Sequence, residues 1–68
     1  MSLTLRINGD VKHFPPPLTI QKLVVELGFE GKRVAIERNG EIIPRSRYPE
    51  VQLADGDALE VVVAVGGG

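Results

Sequence analysis

The residues best placed to do chemistry in this sequence are the three terminal glycines, Gly66, Gly67 and Gly68. Glycines bring no side chain to a core and lose the most backbone entropy on ordering, so they add nothing to fold stability. A segment without Cβ atoms can enter a channel too narrow for other residues, and three residues reach roughly 10 Å at ~3.3–3.6 Å each. We therefore expect this tail to carry its carboxylate into a site on another protein.

The chemistry open to a terminal carboxylate is attack on an activated phosphate. With a reference pKa of ~3.3–3.7 it is ionised at neutral pH, and as a nucleophile it can attack the α-phosphate of ATP. The resulting acyl-adenylate has a good leaving group, so a sulfur or amine nucleophile can then take the acyl group. The alternative is an end without a function, but here the glycines directly follow an apolar segment.

The side chains offer little reactive chemistry of their own. The sequence has no cysteine and a single histidine, His13, which excludes thiol chemistry and leaves metal catalysis poorly supported. Asp55 and Asp57 flank Gly56 in what we interpret as a turn, because two carboxylates fall short of the ligands that Ca²⁺ needs. There is no glycine-rich phosphate loop and no nucleophile paired with a base. We predict a carrier that is not an enzyme and binds no cofactor, with ATP and Mg used by an activating partner.

Length and composition indicate one small domain. The 68 residues leave room for a single core, and we predict a domain over residues 1–65 followed by the tail at residues 66–68. A net charge of −1 argues against nucleic-acid binding, which relies on a surplus of Lys and Arg. No apolar run is long enough for a membrane span or a secretory signal, and the lack of cysteine suits a reducing compartment. We expect a cytoplasmic protein that is monomeric when free.

Periodicity predicts five strands and one helix. Alternating apolar and polar residues indicate strands, and Asn8-Gly9 and Asn39-Gly40 favour type I′ hairpin turns. The predicted strands span residues 3–8, 11–14, 33–38, 41–43 and 58–65. Thr19 can cap a helix of about nine residues that ends at Gly28, with a continuous apolar stripe from Ile20. Residues 45–51 have no clear period and are predicted to be a loop or a short helical turn.

These elements define a fold class. The last strand is apolar on both faces except at Glu60, which is typical of a central strand with a neighbour on each side. The most economical neighbour is the first strand, running parallel to it, because the helix supplies the crossover that parallel strands need. We predict an α+β ubiquitin-like β-grasp, with a mixed sheet of about five strands in the order 2-1-5-3-4 and one helix packed on one face.

The sheet face opposite the helix is a candidate docking surface. Alternation along the last strand places Glu60 on that face, together with Val62 and Ala64 beside the tail. Apolar residues there would mark a surface that a partner covers, with arginines at the rim. The predicted apolar members are Val62, Ala64 and Ile42 or Ile43, and the predicted basic members are Arg38, Arg45 or Arg47.

Four segments together carry a family resemblance that covers essentially the whole chain. Residues 5–9, 34–45, 53–57 and 64–68 resemble the thiamine-biosynthesis sulfur carrier family, ThiS. The resemblance implies that an E1-like, ATP-dependent enzyme adenylates the terminal glycine and that a sulfur donor such as a cysteine desulfurase supplies the sulfur. It further implies that Gly68 carries this sulfur as a thiocarboxylate and delivers it to thiazole synthase, which builds the thiazole ring of thiamine.

Three other functions fit part of the pattern. The small subunit of molybdopterin synthase, or a carrier for another sulfur-bearing metabolite, would share the fold and the tail. A ubiquitin-like protein modifier would be joined through Gly68 to lysines of other proteins. A plain interaction domain would have the same fold with an inert tail.

Overall fold

The computed structural model describes residues 2–64 and contains five strands, one α-helix and one turn of 3₁₀ helix. The elements in order are β1 (Leu3–Ile7), β2 (Asp10–Phe14), α1 (Ile20–Glu26), β3 (Val34–Arg38), β4 (Glu41–Ile43), the 3₁₀ turn (Arg45–Arg47) and β5 (Ala58–Val63). This order confirms the predicted succession of two strands, a helix and three strands. β5 ends at Val63, two residues before the predicted end, and the predicted tail at residues 66–68 lies outside the described residues.

The five strands form one sheet in the order β2-β1-β5-β3-β4, which confirms the predicted topology. β5 is central, parallel to β1 and antiparallel to β3. β2 and β4 are the return strands of two hairpins and lie at the edges. The strand that leads towards the terminal glycines is therefore held by a neighbour on each side.

The two hairpins turn through the predicted Asn-Gly pairs. Asn8 and Gly9 have φ values of 52° and 86°, and Asn39 and Gly40 have φ values of 49° and 86°. Positive φ at both central residues is the type I′ geometry, whose twist matches that of the flanking strands. Both turns are confirmed. Because β1 is parallel and β3 antiparallel to β5, the two turns point in opposite directions along β5.

Helix α1 is bounded by the two caps that the sequence indicates. The Thr19 hydroxyl accepts a hydrogen bond of 3.1 Å from a backbone N–H of the first turn. At the other end, Gly28 adopts φ +80° and the Phe29 N–H donates to the Val24 carbonyl at 3.0 Å, as in a Schellman motif. α1 has seven residues instead of about nine, because Leu27 already serves as the C-cap.

The core lies between α1 and one face of the sheet, which we call the inner face; the opposite face is the outer face. Among residues 2–64, the core contains twelve buried apolar residues, which come from the helix, from every strand except β2 and from two connecting loops. They are Leu5, Ile7, Leu18, Ile20, Leu23, Val24, Ile36, Ile43, Tyr48, Leu53, Leu59 and Val61. A single helix covers only the inner face, so the outer face is left open along β5. Within residues 2–64, no helix is long and apolar enough to cross a membrane.

Candidate functional site

The candidate site lies where β5 runs towards the glycines. The predicted sulfur-carrying residues Gly66, Gly67 and Gly68 are outside the described part of the chain, so the structure shows the base from which they extend. That base is held to β3 beyond the last strand residue, because the Ala64 N–H donates to the Arg33 carbonyl at 2.9 Å. The tail therefore starts from an ordered, hydrogen-bonded strand.

Three of the predicted docking residues come together at this end of the outer face. Val62 is 60% exposed and pairs directly with Ala35 of β3. A surface hollow of about 430 Å³ is lined by Arg33, Val34, Ala35, Arg45, Val62 and Ala64. We call this hollow the basal hollow. It has an apolar floor with two guanidinium groups, so it suits a partner that offers an apolar side chain next to a carboxylate.

Strand parity decides the position of the remaining apolar candidates. Ile42 is 75% exposed and pairs with Glu37 of β3, which places it on the outer face, although it does not line the basal hollow. Ile43 is only 7% exposed and belongs to the core. Adjacent strand residues point to opposite faces, so only one of these two isoleucines can be on the outer face. The prediction that included Ile43 is wrong.

The basic rim is also narrower than predicted. Arg38 lies in β3 at the alternation position of buried Ile36, hence on the inner side, and its Nε bonds to Asp57 at 2.9 Å. Its assignment to the docking surface is wrong for the same reason of parity. Arg47 is exposed and lies 3.7 Å from Glu50 in a surface ion pair, outside the basal hollow. Arg45, together with Arg33, supplies the positive charge of the hollow.

The far end of the outer face has the opposite charge. Glu37 of β3 and Glu60 of β5 are directly paired in the sheet register. Both line a second hollow near the hairpin turns, with Arg6 as its only cation. Like charges directly opposite each other on a sheet are unfavourable. The outer face is therefore polar and acidic near the turns, and apolar with basic groups near the tail.

Asp57 has a role that the sequence analysis missed. It is 7% exposed, and its carboxylate accepts hydrogen bonds from the Ala54 N–H at 2.8 Å, from Asn39 Nδ2 at 3.1 Å and from Arg38 Nε at 2.9 Å. Burial alone would raise the pKa of the Asp57 carboxyl, but these donors and the charge of Arg38 outweigh it and leave the pKa below its usual value. The carboxylate fixes the loop that leads into β5. The Asp-Gly-Asp pattern signalled a turn but not this network.

The turn asparagines also contact β5 with their side chains. The Asn8 amide donates from Nδ2 to the Val61 carbonyl at 2.9 Å and accepts from the Val61 N–H at 2.7 Å. The Asn39 Oδ1 accepts from the Ala58 N–H at 2.9 Å. The Asn-Gly pairs predicted these turns through their backbone preference alone. Glycine at the first position of these turns would satisfy the same backbone geometry. The presence of asparagine there was therefore the one sequence signal that its side chain makes a contact of its own.

The described residues show no cluster of His, Asp or Glu that could hold a metal ion. The buried carboxylate of Asp57 already accepts hydrogen bonds from Ala54, Asn39 and Arg38.

The strand order and the single helix across one sheet face define a ubiquitin-like β-grasp domain. Comparison with known proteins then gives the family, since the model of the ThiS family matches residues 5–68. The chain belongs to the ThiS family, and the matched segment runs through the terminal glycines.

Individual relatives agree with this assignment. The sulfur carrier protein ThiS of Bacillus subtilis is 49% identical over 65 residues, which cover 94% of this chain and 98% of that protein. The crystal structure of the thiamine biosynthesis protein ThiS from Geobacter metallireducens superposes with a TM-score of 0.80 at 29% identity, covering 97% of this chain and 100% of that one.

A second kind of relative is much longer. A thiazole synthase of Paramagnetospirillum magneticum is 46% identical over 66 residues, which make up 97% of this chain but 20% of that protein. The chain thus spans about a fifth of the thiazole synthases it matches, and one from Magnetococcus marinus shows the same proportion.

Proposed function

We propose that this chain is the sulfur carrier for thiazole formation in thiamine biosynthesis, and that the carboxyl group of Gly68 carries the sulfur. The observation that carries the proposal is the family match, because it extends over residues 5–68 and so includes the glycines. The sulfur carrier protein of Bacillus subtilis, which is similar over 98% of its own length, supports it. The geometry agrees, since the glycines follow a central strand that is held on both sides.

The proposed chemistry has two steps and is performed by partners. A carboxylate oxygen of Gly68 attacks the α-phosphorus of ATP, the bond from that phosphorus to the bridging oxygen breaks, and pyrophosphate leaves. Mg²⁺, which would be held by the enzyme that catalyses this step, would neutralise charge on the phosphates. A sulfur nucleophile then attacks the acyl carbon and displaces AMP. Hydrosulfide gives the thiocarboxylate directly, whereas the persulfide carried by a cysteine desulfurase gives an acyl disulfide, which a second thiol cleaves to the thiocarboxylate as a new disulfide forms. We assign the first step to an E1-like adenylating enzyme and the sulfur supply to a cysteine desulfurase.

Thiazole synthase is the proposed recipient of the sulfur. In two bacteria, a segment similar to this chain makes up a fifth of a protein named thiazole synthase. A carrier and a synthase joined in one polypeptide are held at high effective concentration, which benefits two components that act on each other. This arrangement supports a working contact between the two as separate proteins.

The basal hollow is the proposed docking surface for the activating enzyme. Val62 and Ala64 supply exposed apolar surface at the base of the tail, and Arg33 and Arg45 supply positive charge beside it. A partner that binds here would hold the tail close to its own active site. Charge complementarity favours an acidic group on the partner next to an apolar side chain.

The central experiment is intact-mass analysis of the full chain after incubation with the adenylating enzyme, MgATP and a sulfide source. The expected product has gained the mass difference between sulfur and oxygen, and a variant lacking Gly67 and Gly68 does not react. An unchanged mass for the wild-type chain would contradict the proposal. Protein conjugates formed in a cell extract with ATP would instead indicate a protein modifier.

The identity of the acceptor needs a separate test. The purified thiocarboxylate is supplied in parallel to thiazole synthase and to the large subunit of molybdopterin synthase, each with its other substrates. We expect thiazole formation and no molybdopterin formation. The reverse result would assign the chain to the molybdenum-cofactor branch of sulfur carriers.

The docking surface is tested with a pair of matched variants. Val62→Asp places a carboxylate in the basal hollow, whereas Val11→Asp places one on edge strand β2, where Val11 is 55% exposed. We expect Val62→Asp to raise the KM of adenylation for the carrier at least ~10-fold, the equivalent of ~1.4 kcal/mol of binding free energy. Val11→Asp should leave this KM unchanged. Equal KM values for both variants would place the docking surface elsewhere.

A further inference from the structure

We propose that Asn8 is a positioning residue for the glycine tail: its side-chain amide takes the place of a missing strand neighbour and holds β5 at Val61, two residues before the strand ends. This inference rests on the proposed carrier function. The Asn8 side chain bonds to the backbone of Val61, so we assign its effect on the tail to β5.

The need for such a residue arises from the short pairing between β1 and β5. The parallel register covers only Arg6 opposite Ala58 and Ile7 opposite Leu59. One more backbone bond follows, from the Asn8 N–H to the Leu59 carbonyl at 2.9 Å, and the chain then turns away at Gly9. β5 continues past this point, and from Val61 onward β1 has no backbone to offer it.

The Asn8 side chain fills this position with the hydrogen-bonding groups of a peptide unit. Its Nδ2 donates to the Val61 carbonyl at 2.9 Å and its Oδ1 accepts from the Val61 N–H at 2.7 Å. A side-chain amide has the same donor and acceptor as a backbone amide, so the ladder is extended by one residue of β5. This contact is the last hold on the β1 side of β5 among the described residues, and the neighbouring β3 provides the other.

The second hairpin offers a built-in comparison. Asn39 occupies the same position of the same turn type; its Oδ1 accepts from the Ala58 N–H at 2.9 Å and its Nδ2 donates to the Asp57 carboxylate at 3.1 Å. Asn39 thus holds the first residue of β5, whereas Asn8 holds the fourth, nearer the tail. Both asparagines have positive φ, which glycine adopts freely, so replacement by glycine preserves both turns.

Holding the base of the tail matters because adenylation requires the carboxylate to meet the α-phosphate in one orientation. A fixed starting strand limits the directions in which the glycines extend, and this raises the fraction of docked carriers in a reactive geometry. Release of β5 on one side widens these directions without removing the docking contacts of Val62 and Ala64. The expected cost therefore appears in kcat, while KM for the carrier stays the same.

The test compares Asn8→Gly with Asn39→Gly in the full chain, at a temperature at which unfolding curves show both variants folded. Adenylation is followed by ATP–pyrophosphate exchange with the activating enzyme, and backbone amide hydrogen exchange is measured on the free proteins. For Asn8→Gly we expect kcat to fall ~5- to 10-fold and the Val61 amide to exchange at least ~10-fold faster relative to the core amide of Leu5, as for loss of about one hydrogen bond. For Asn39→Gly we expect kcat within ~2-fold of wild type.

The outcomes separate the inference from the function on which it rests. If the wild-type chain is adenylated and the two variants have the same kcat, Asn8 has only a structural role and the inference is overturned. It is also overturned if Asn8→Gly raises KM and leaves kcat unchanged, because Asn8 would then act in docking. If the wild-type chain is not adenylated at all, the carrier function itself fails, whatever the hydrogen-exchange result.

Discussion

Asp57 provides a quantitative test of how this small domain is held together. We consider Asp57→Asn, which preserves shape but removes the charge and one acceptor. An asparagine oxygen in the position of Oδ2 can still accept from the Ala54 N–H and from Arg38 Nε. Its amide nitrogen then faces the Asn39 Nδ2, which is also a donor, so that hydrogen bond is lost. Asn39 cannot flip to compensate, because its oxygen accepts from the Ala58 N–H.

The expected loss of stability follows from these contacts. One hydrogen bond contributes ~0.5–1.5 kcal/mol, and the ion pair with Arg38 adds ~0.5–1 kcal/mol after allowance for screening by solvent. The Arg38 side chain is 28% exposed, which is the reason for that allowance. The free energy of unfolding should therefore fall by about 2 kcal/mol at pH 7. A domain of this size has roughly 3–10 kcal/mol in total, so the variant stays folded.

The loss of stability caused by Asp57→Asn should also depend on pH, and it should be smaller in acid. The pKa of Asp57 is lower in the folded protein than the ordinary value of an aspartate, so its ionised form favours folding. This contribution is complete above the unfolded pKa and is lost as the pH falls through the folded pKa. The difference in unfolding free energy between wild type and Asp57→Asn should therefore shrink below about pH 4.

Urea unfolding curves of both proteins at neutral and strongly acidic pH measure this difference. Asp10→Asn is the matched control, since Asp10 is exposed at the start of edge strand β2; its free energy of unfolding should change by less than ~0.5 kcal/mol. If the difference for Asp57→Asn is the same at both pH values, the carboxylate does not stabilise the fold through its charge.

Two further predictions concern packing and the helix end. Ile43→Ala should lower the free energy of unfolding by ~2–3 kcal/mol through the cavity it leaves, whereas Ile42→Ala should change it by less than ~0.5 kcal/mol; equal losses in urea titrations would contradict the assigned faces of β4. Gly28→Ala should lower the free energy of unfolding by ~1–2 kcal/mol, because alanine is strained at φ +80° although no neighbouring atom lies within 4 Å of the added Cβ. An unchanged thermal midpoint would show that the helix does not end in this left-handed conformation.

The fold could be predicted from the sequence because its local signals agree with one another. Alternation in β1 and β3, the Asn-Gly turns and the capped apolar stripe of α1 each indicate one structure. The apolar length of β5 then indicates its central position. The ends of the elements are harder to predict. β5 ends at Val63 although the apolar residues continue to Val65, because alternation gives no signal for the end of a strand.

The positions of the residues in the proposed docking surface could be predicted only in part, because this depends on which sheet face each residue occupies. Val62 was placed correctly on the outer face because Glu60, two residues earlier, marks that face. The pair Ile42 and Ile43 has the same residue type in both positions, so periodicity could not choose between them. Alternation with Val34 and Ile36 already places Arg38 on the inner side, but its partner Asp57 lies 19 residues away in sequence, where no local pattern connects the two.

The buried residues of the loop between β4 and β5 could not be predicted from periodicity. It has no regular alternation, yet it contributes Tyr48 and Leu53 to the core. The Tyr48 hydroxyl donates to the Val34 carbonyl at 3.0 Å, and its burial raises the pKa of the phenol. Such contacts depend on tertiary packing, for which a single sequence carries no local pattern.

The hydrogen bonds between Asn8 and β5 affect how fast this asparagine loses its side-chain amide on storage. In an Asn-Gly pair, the glycine backbone nitrogen can attack the side-chain amide carbon, since no side chain hinders it, and ammonia is released as a cyclic imide forms. Water then opens the ring to an aspartate or an isoaspartate. Both polar atoms of the Asn8 amide are held by Val61, so this cyclisation must wait until the contact opens. The rate of deamidation at Asn8 in a stored sample, followed by the change in mass of the protein, would then report how often the contact with Val61 opens.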